Sequence, residues 1–162
     1  MNLILYGSLL NKDELKKQNI DLESIKYVKV YGFKRVFNQL PSWRKVDGNK
    51  KAVMNVEYDE SSWFNAILLE NLSDEYIKDL DERERGYDRI SIKDGDVITY
   101  DGIIIKNCII YKGKSGKQDD TILPNPTYFE ICKSGAKSHF KEFYVDYLNT
   151  TYKNSDKGLV PI

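Results

Sequence analysis

The segment Leu80-Asp81-Glu82-Arg83-Glu84-Arg85-Gly86-Tyr87 carries a carboxylate in a place that chemistry, more than solvation, would choose. Ser73 is a good N-cap, and Asp74 and Glu75 put negative charge in the first turn, where it suits a helix dipole. Leu72 and Ile77 are spaced as a hydrophobic staple, and Gly86 is a natural C′ stop. At 3.6 residues per turn, Ile77, Leu80 and Glu84 share one stripe, with Glu82 on the far side. A carboxylate on an apolar stripe is either tethered by a partner or placed to move protons. The simpler reading makes Glu84 a rim residue beside an arginine.

A second feature lies at the start of the chain. Tyr6-Gly7-Ser8-Leu9-Leu10 follows a short apolar strand, Asn2 to Gly7, and precedes a helix capped by Asn11, with Asp13 and Glu14 in its first turn. Glycine at a strand end lets the backbone turn and a ligand approach closely. The N–H groups that follow lack internal partners and can hold an anion or oxyanion. Strand-Gly-Ser-helix turns are also common as plain turns.

The composition limits which chemistry these residues serve. The 162-residue chain has Lys plus Arg equal to Asp plus Glu, 25 each, so no net charge draws it to nucleic acid or an acidic membrane. The apolar run near the N-terminus is only Leu3 to Leu5, and no stretch nears the roughly 20 residues of a membrane span. The expectation is a cytoplasmic protein with Cys108 and Cys132 reduced. With one histidine, His139, and two scattered cysteines, neither a zinc-type metal site nor a His-dependent nucleophile is expected. The twelve tyrosines supply apolar bodies with polar tips, suited to a half-polar pocket or to strand packing.

Several elements must position these groups. Ile25 to Phe37 reads as one or two strands with Gly32 as a bulge. The polar connection 40–51 holds Trp43 and Arg44, which are expected to fold back onto the body. Ala52 to Tyr58 alternates as a strand, and Asp59-Glu60-Ser61-Ser62 reads as a turn into a second strand, Trp63 to Leu69. Tyr87 to Lys93 and Val97 to Tyr100 flank Asp94-Gly95, which resembles a hairpin turn, and Ile103 to Tyr111 is a further strand. Pro126 or Thr127 opens a helix to about Lys133. Gly135 interrupts it, and a second helical run reaches Leu148. The predicted class is α+β: a small, mixed, largely antiparallel β-barrel flanked by helices. Residues 1–150 form a single domain, and 151–162 form a C-terminal tail that is frayed except at Leu159, Val160 and Ile162.

Together these blocks resemble the γ-glutamylcyclotransferase family. Tyr6-Gly7-Ser8 is similar to its strand-end signature, and Tyr31-Gly32-Phe33-Lys34-Arg35-Val36-Phe37-Asn38 to its next strand. Leu80 to Glu84 with Gly86-Tyr87 is similar to the segment carrying its catalytic glutamate. Pro124-Asn125-Pro126-Thr127-Tyr128 and Gly135-Ala136-Lys137 complete the ordered set. The resemblance implies intramolecular cyclisation of a γ-glutamyl compound to 5-oxoproline, releasing an amine or amino acid, with no cofactor. One departure is Leu9, where enzymes acting on γ-glutamyl amino acids typically carry Asn. Substrate class therefore stays open.

On this reading the substrate's own α-amine is the nucleophile, so the protein needs no Ser or Cys nucleophile. Glu84 takes a proton from the α-ammonium and returns one to the leaving nitrogen. An α-amino group titrates near ~8 and a free Glu near ~4.3, an uphill transfer of about 5 kcal/mol that partial burial of Glu84 would narrow. Arg83 and Arg85 oppose that effect. The backbone around Gly7, Ser8 and Leu9 would hold a carboxylate or the oxyanion. By resemblance Tyr6, Tyr87, Tyr111 and Tyr128 contact the substrate, and Asn38 is a weaker candidate. The expected partner is a small γ-glutamyl molecule, with neither nucleic acid nor membrane. Two other classes remain: a non-catalytic small-molecule binding module on the same fold, and an interaction domain using the tyrosines, Trp43 and Trp63 as a surface patch.

Overall fold

The computed structural model describes residues 1–42 and 48–162, so the expectation for Trp43 and Arg44 lies outside the described residues. The frame is a long antiparallel pair, β2 (Lys26–Gln39) and β3 (Lys50–Leu69), in register from Lys26 opposite Leu68 to Gln39 opposite Val53. β1 (Asn2–Leu5) lies beside β3 antiparallel and beside β6 (Cys108–Gly113) parallel. β4 (Tyr87–Ser91) extends the sheet beyond β6, and β8 (Thr151–Ser155) with β9 (Gly158–Pro161) extends it beyond β2. β5 (Val97–Thr99) pairs with β2, and β7 (Leu123–Pro124) with β3. The helices are α1 (Lys12–Lys17), α2 (Asp74–Arg83), α3 (Pro126–Lys137) and α4 (Lys141–Asn149). None of them is long and apolar enough to cross a membrane.

The class is α+β with a large mixed sheet, but the expected barrel does not close. The sheet order is β4-β6-β1-β3-β2-β8-β9, and its two end strands do not pair. The reason lies in the bulge. Between Tyr31 opposite Trp63 and Phe33 opposite Tyr58, Gly32 alone faces residues 59–62, and it takes φ +88°, which side chains rarely adopt. On one side of this break β2 receives β5 along Val28–Val30; on the other it receives β8 along Arg35–Phe37. β3 likewise takes β1 near Leu69 and β7 near Lys50. Each long strand therefore hosts different neighbours along its length.

The same break corrects the turn expected at 59–62, because β3 runs through it as one strand. The Asp59 carboxylate accepts from the Ser61 hydroxyl and amide and from the Ser62 hydroxyl, and pairs with Lys34 Nζ at 3.1 Å. Turn chemistry is spent on the bulge. Asp94-Gly95 does turn, with Gly95 at φ +100°, but it makes no hairpin: β4 pairs with β6 and β5 with β2. Nor do residues 151–162 hang as a tail, since β8 pairs with β2 and β9 with β8.

The caps follow the sequence. Asn11 accepts from the Asp13 and Glu14 amides, and Ser73 from the Tyr76 amide. Gly135 does not interrupt its helix. A Cβ there would lie 2.6–2.8 Å from backbone atoms of Asn11 and Leu10, so its role is to let α3 press against the chain just after β1. Gly135→Ala gains about 1 kcal/mol of helix propensity. Backbone cannot yield as a side chain can, so the overlap wins, and the variant is expected to lose about 1–3 kcal/mol net in chemical denaturation.

Candidate functional site

The chain leaves β1 at Leu5 and passes through Tyr6 and Gly7 into a 3-10 turn, Ser8–Leu10. Gly7 is required by space. A Cβ on it would sit 2.7 Å from the Tyr128 hydroxyl and 3.3 Å from Met54 Cβ. Tyr128 stands in the first turn of α3, where Asn125 caps its amide at 3.0 Å. The Asn125 amide in turn bonds the Ala52 carbonyl of β3. The close approach of α3, β1 and β3 therefore fixes the loop. Among the described residues, the amides of Gly7, Ser8 and Leu9 donate to no acceptor, whereas those of Leu10 and Asn11 bond back to Gly7 and Ser8.

Glu84 lines the same cavity as this loop. The helix ends at Arg83, and Glu84 is its C-cap (φ −89°, ψ 56°), its amide bonded to the Leu80 carbonyl. Its amide keeps the helical bond while its ψ turns the chain that follows out of the helix. Gly86 is no left-handed stop, since its φ is not positive. A Cβ on Gly86 would lie 2.7 Å from Ser42 Oγ, and its carbonyl accepts from Gln39 Nε2 at 2.7 Å and from the Lys114 amide at 2.9 Å. Glycine serves close approach there. Burial pushes the half-buried Glu84 carboxyl above its ordinary range, against the opposing charge of Arg83. Arg83 itself donates to Gln18 Oε1 at 2.9 Å.

Glu84 and the N-terminal loop share one cavity of about 300 Å³. Of the residues singled out in the sequence, Tyr6, Gly7, Ser8, Leu9, Glu84, Tyr87, Tyr111 and Tyr128 line it. Asn38 does not. It is buried, donates to Glu57 at 2.6 Å and accepts from Asn55 at 3.0 Å. His139 also lies elsewhere. Its Nε2 donates to the Leu10 carbonyl at 2.7 Å, so its Nδ1 accepts from the Tyr27 hydroxyl at 2.9 Å, and burial holds it below its ordinary range. Sequence reading missed Ile4, Leu5, Pro41, Ser42, Val53, Met54, Arg85 and Gly86 on the wall. Alternation assigns Val53 and Met54 to opposite faces, yet both line the cavity beside a register shift between Phe37 and Gln39. No local residue pattern announces that shift.

All four tyrosines line the cavity, and the hydroxyls of three of them bond protein groups. Tyr6 donates to the Tyr111 carbonyl at 2.5 Å, Tyr87 to the Met54 carbonyl at 2.7 Å, and Tyr111 to Asp81 Oδ1 at 2.7 Å. Burial raises all four phenols above their ordinary range, so they are neutral donors. Tyr87→Phe leaves the Met54 carbonyl without this donor and is expected to cost about 1–2 kcal/mol of stability in urea titration. Unchanged stability with a raised KM would instead mean that the hydroxyl serves substrate.

Chemically, the cavity joins the Glu84 carboxyl, a loop whose Gly7, Ser8 and Leu9 amides have no acceptor among the described residues, and an aromatic wall. Among the described residues no group of three His, Cys, Asp or Glu is placed to hold a metal ion. Comparison with known proteins places the fold. No family model matches the sequence, and no curated protein shows significant sequence similarity. Solved structures do match. One is a γ-glutamyl cyclotransferase (TM-score 0.66, 19% identity, 96% of this chain and 89% of that one). Another is an uncharacterized protein from Homo sapiens (TM-score 0.67, 20% identity, 96% and 89%). A third is YkqA from Bacillus subtilis (TM-score 0.67, 18% identity), of which 90% of this chain matches only 51%. The chain has the γ-glutamyl cyclotransferase fold.

Proposed function

We propose that this protein cyclises a γ-glutamyl compound, releasing 5-oxoproline and a free amine or amino acid, with Glu84 as general acid and base. The observation that carries this reading is the half-buried Glu84 carboxyl, raised by desolvation, lining one cavity of substrate size with Gly7, Ser8 and Leu9, whose amides have no acceptor among the described residues. The α-amine nitrogen attacks the γ-carbonyl carbon, and the bond from that carbon to the leaving nitrogen breaks. Two protons leave the α-ammonium as it becomes the lactam N–H. Two arrive on the leaving nitrogen as it becomes an ammonium, and Glu84 carries them between the two sites. The Gly7–Leu9 amides stabilise the oxyanion that forms in between. The tyrosine rings hold the substrate folded, so that amine and carbonyl meet within one molecule. Nucleophile and leaving group come from the same substrate, so this chemistry requires no cofactor. A panel of glutathione, γ-glutamyl dipeptides and γ-glutamylamines tests the reading. 5-Oxoproline from at least one member supports it, and saturable binding without product would favour a binding module.

A further inference from the structure

We propose that Asp81 is a positioning residue, clamped by Tyr111 and Arg89 so that the turn carrying Glu84 is held against the cavity; this rests on Glu84 as the proton carrier. Asp81 lies one turn before Glu84, on the last turn of α2. Its two carboxylate oxygens are gripped separately: Oδ1 accepts from the Tyr111 hydroxyl at 2.7 Å, and Oδ2 pairs with Arg89 Nη1 at 3.4 Å. Tyr111 and Arg89 are direct cross-strand partners on β6 and β4, so one carboxylate fastens the helix to two adjacent strands at a single rung.

The position of this clamp is what matters. Asp81 and Arg89 bracket residues 84–87, so their contact closes the short connection that holds Glu84. The far side of the same connection is already fixed, through the Gly86 carbonyl to Gln39 and Lys114 and through the Tyr87 hydroxyl to Met54. Without the clamp, the helix side of Glu84 keeps its own backbone bonds, the buried Ile77 of the same helix, the long 3.5 Å contact of the Tyr111 hydroxyl with the Ile77 carbonyl and the more distant Arg83–Gln18 contact. Of the two grips, that of Tyr111 is the stronger. It is short, charge-assisted and comes from a buried ring, whereas the ion pair is half-exposed and screened. The ring of Tyr111 lines the cavity while its hydroxyl reaches the helix, so one side chain sets both wall and base.

Displacement of a catalytic group by about 1 Å can cost on the order of 10²-fold in rate. Asp81→Ala is therefore expected to lower kcat about 10- to 100-fold with KM within about twofold, while Asp81→Asn, which keeps an acceptor for Tyr111, recovers much of the loss. Tyr111→Phe should follow Asp81→Ala, and Arg89→Ala should fall short of both. Amide hydrogen exchange gives a readout independent of turnover: in Asp81→Ala the Glu84 and Tyr87 amides exchange faster while those of β1 do not. If Asp81→Ala fails to fold, Asp81→Asn and Tyr111→Phe carry the same comparison. Unchanged kcat, a change confined to KM, or unchanged exchange at Glu84 and Tyr87 would overturn the clamp while Glu84→Gln is still inactive. A Glu84→Gln protein as active as the wild type, or a wild type that turns over nothing in the panel, would overturn the underlying reading and the positioning role with it.

Discussion

Replacing Glu84 with glutamine is expected to lower 5-oxoproline release about 10²- to 10⁴-fold, the usual worth of a positioned acid–base group. Glutamine keeps the shape and can neither take nor return the proton. Its effect on stability has the opposite sign. Burial raises the folded-state pKa of Glu84, so its neutral form is favoured by folding. That favourable contribution is fully present below the unfolded value of about 4.3 and is lost as pH rises through the folded value. Near pH 7 the wild type holds a desolvated carboxylate that the variant lacks. The variant should therefore melt higher than the wild type at pH 7, and the gap should close toward pH 4. In the wild type, turnover should fall as pH drops through the raised pKa, because protonated Glu84 accepts nothing. Rate profiles and melting curves over pH 4–8 check both. A variant that loses activity and also melts lower at pH 7 would point to a structural role for the carboxylate.

The second large effect lies away from the cavity. Arg35 is fully buried, and among the described residues no carboxylate pairs with it. Its guanidinium instead donates to Thr151 Oγ1 at 2.9 Å, to the Asn65 carbonyl at 2.6 Å and side-chain oxygen at 2.8 Å, and to Thr150 Oγ1 at 3.1 Å. It lies over the rings of Tyr147 at 4.6 Å and Phe64 at 5.5 Å. Burial lowers its pKa to about 10, so it is still charged at neutral pH. One side chain thus joins β2, β3, β8 and the end of α4. Arg35→Ala relieves a buried charge, but it leaves a void and several buried acceptors without a donor, at about 1–3 kcal/mol each. The acceptors outnumber the single relieved charge, so the net loss should be about 3–5 kcal/mol, a large share of a stability of about 5–15 kcal/mol. Lysine should not rescue it, since one ammonium cannot reach the fanned acceptors. Urea denaturation measures the loss, and a change below about 1 kcal/mol would mean that the acceptors find water or one another.

The features legible in the sequence were those set by short-range chemistry. Ser73 and Asn11 announced their helices because capping needs only neighbouring amides. Gly32 announced a bulge because only its backbone tolerates φ +88°. Glu84 stood out from helix spacing and Gly7-Ser8 from a strand end that runs into a helix, whereas the tyrosines followed from family resemblance alone; all of them line the cavity. What failed was pairing between distant segments. Thr151 and Asn154 are buried through hydrogen bonds, Thr151 with Arg35 and the Tyr147 carbonyl, Asn154 with the Asp119 and Ile122 carbonyls. β8 therefore lacks the apolar alternation that marks a strand, and its sequence resembles a polar tail. The Asp94-Gly95 turn is genuine, but partner choice for β4 and β5 depends on β6 and β2, which no local signal specifies.

The central claim is intramolecular cyclisation, and the most direct test is product analysis in H2 18O with γ-glutamyl substrates. Cyclisation takes no oxygen from solvent. The account predicts unlabelled 5-oxoproline and free amine in equal amounts, both lowered about 10²- to 10⁴-fold with Glu84→Gln. Glutamate carrying 18O would mean hydrolysis through an activated water, and would contradict it.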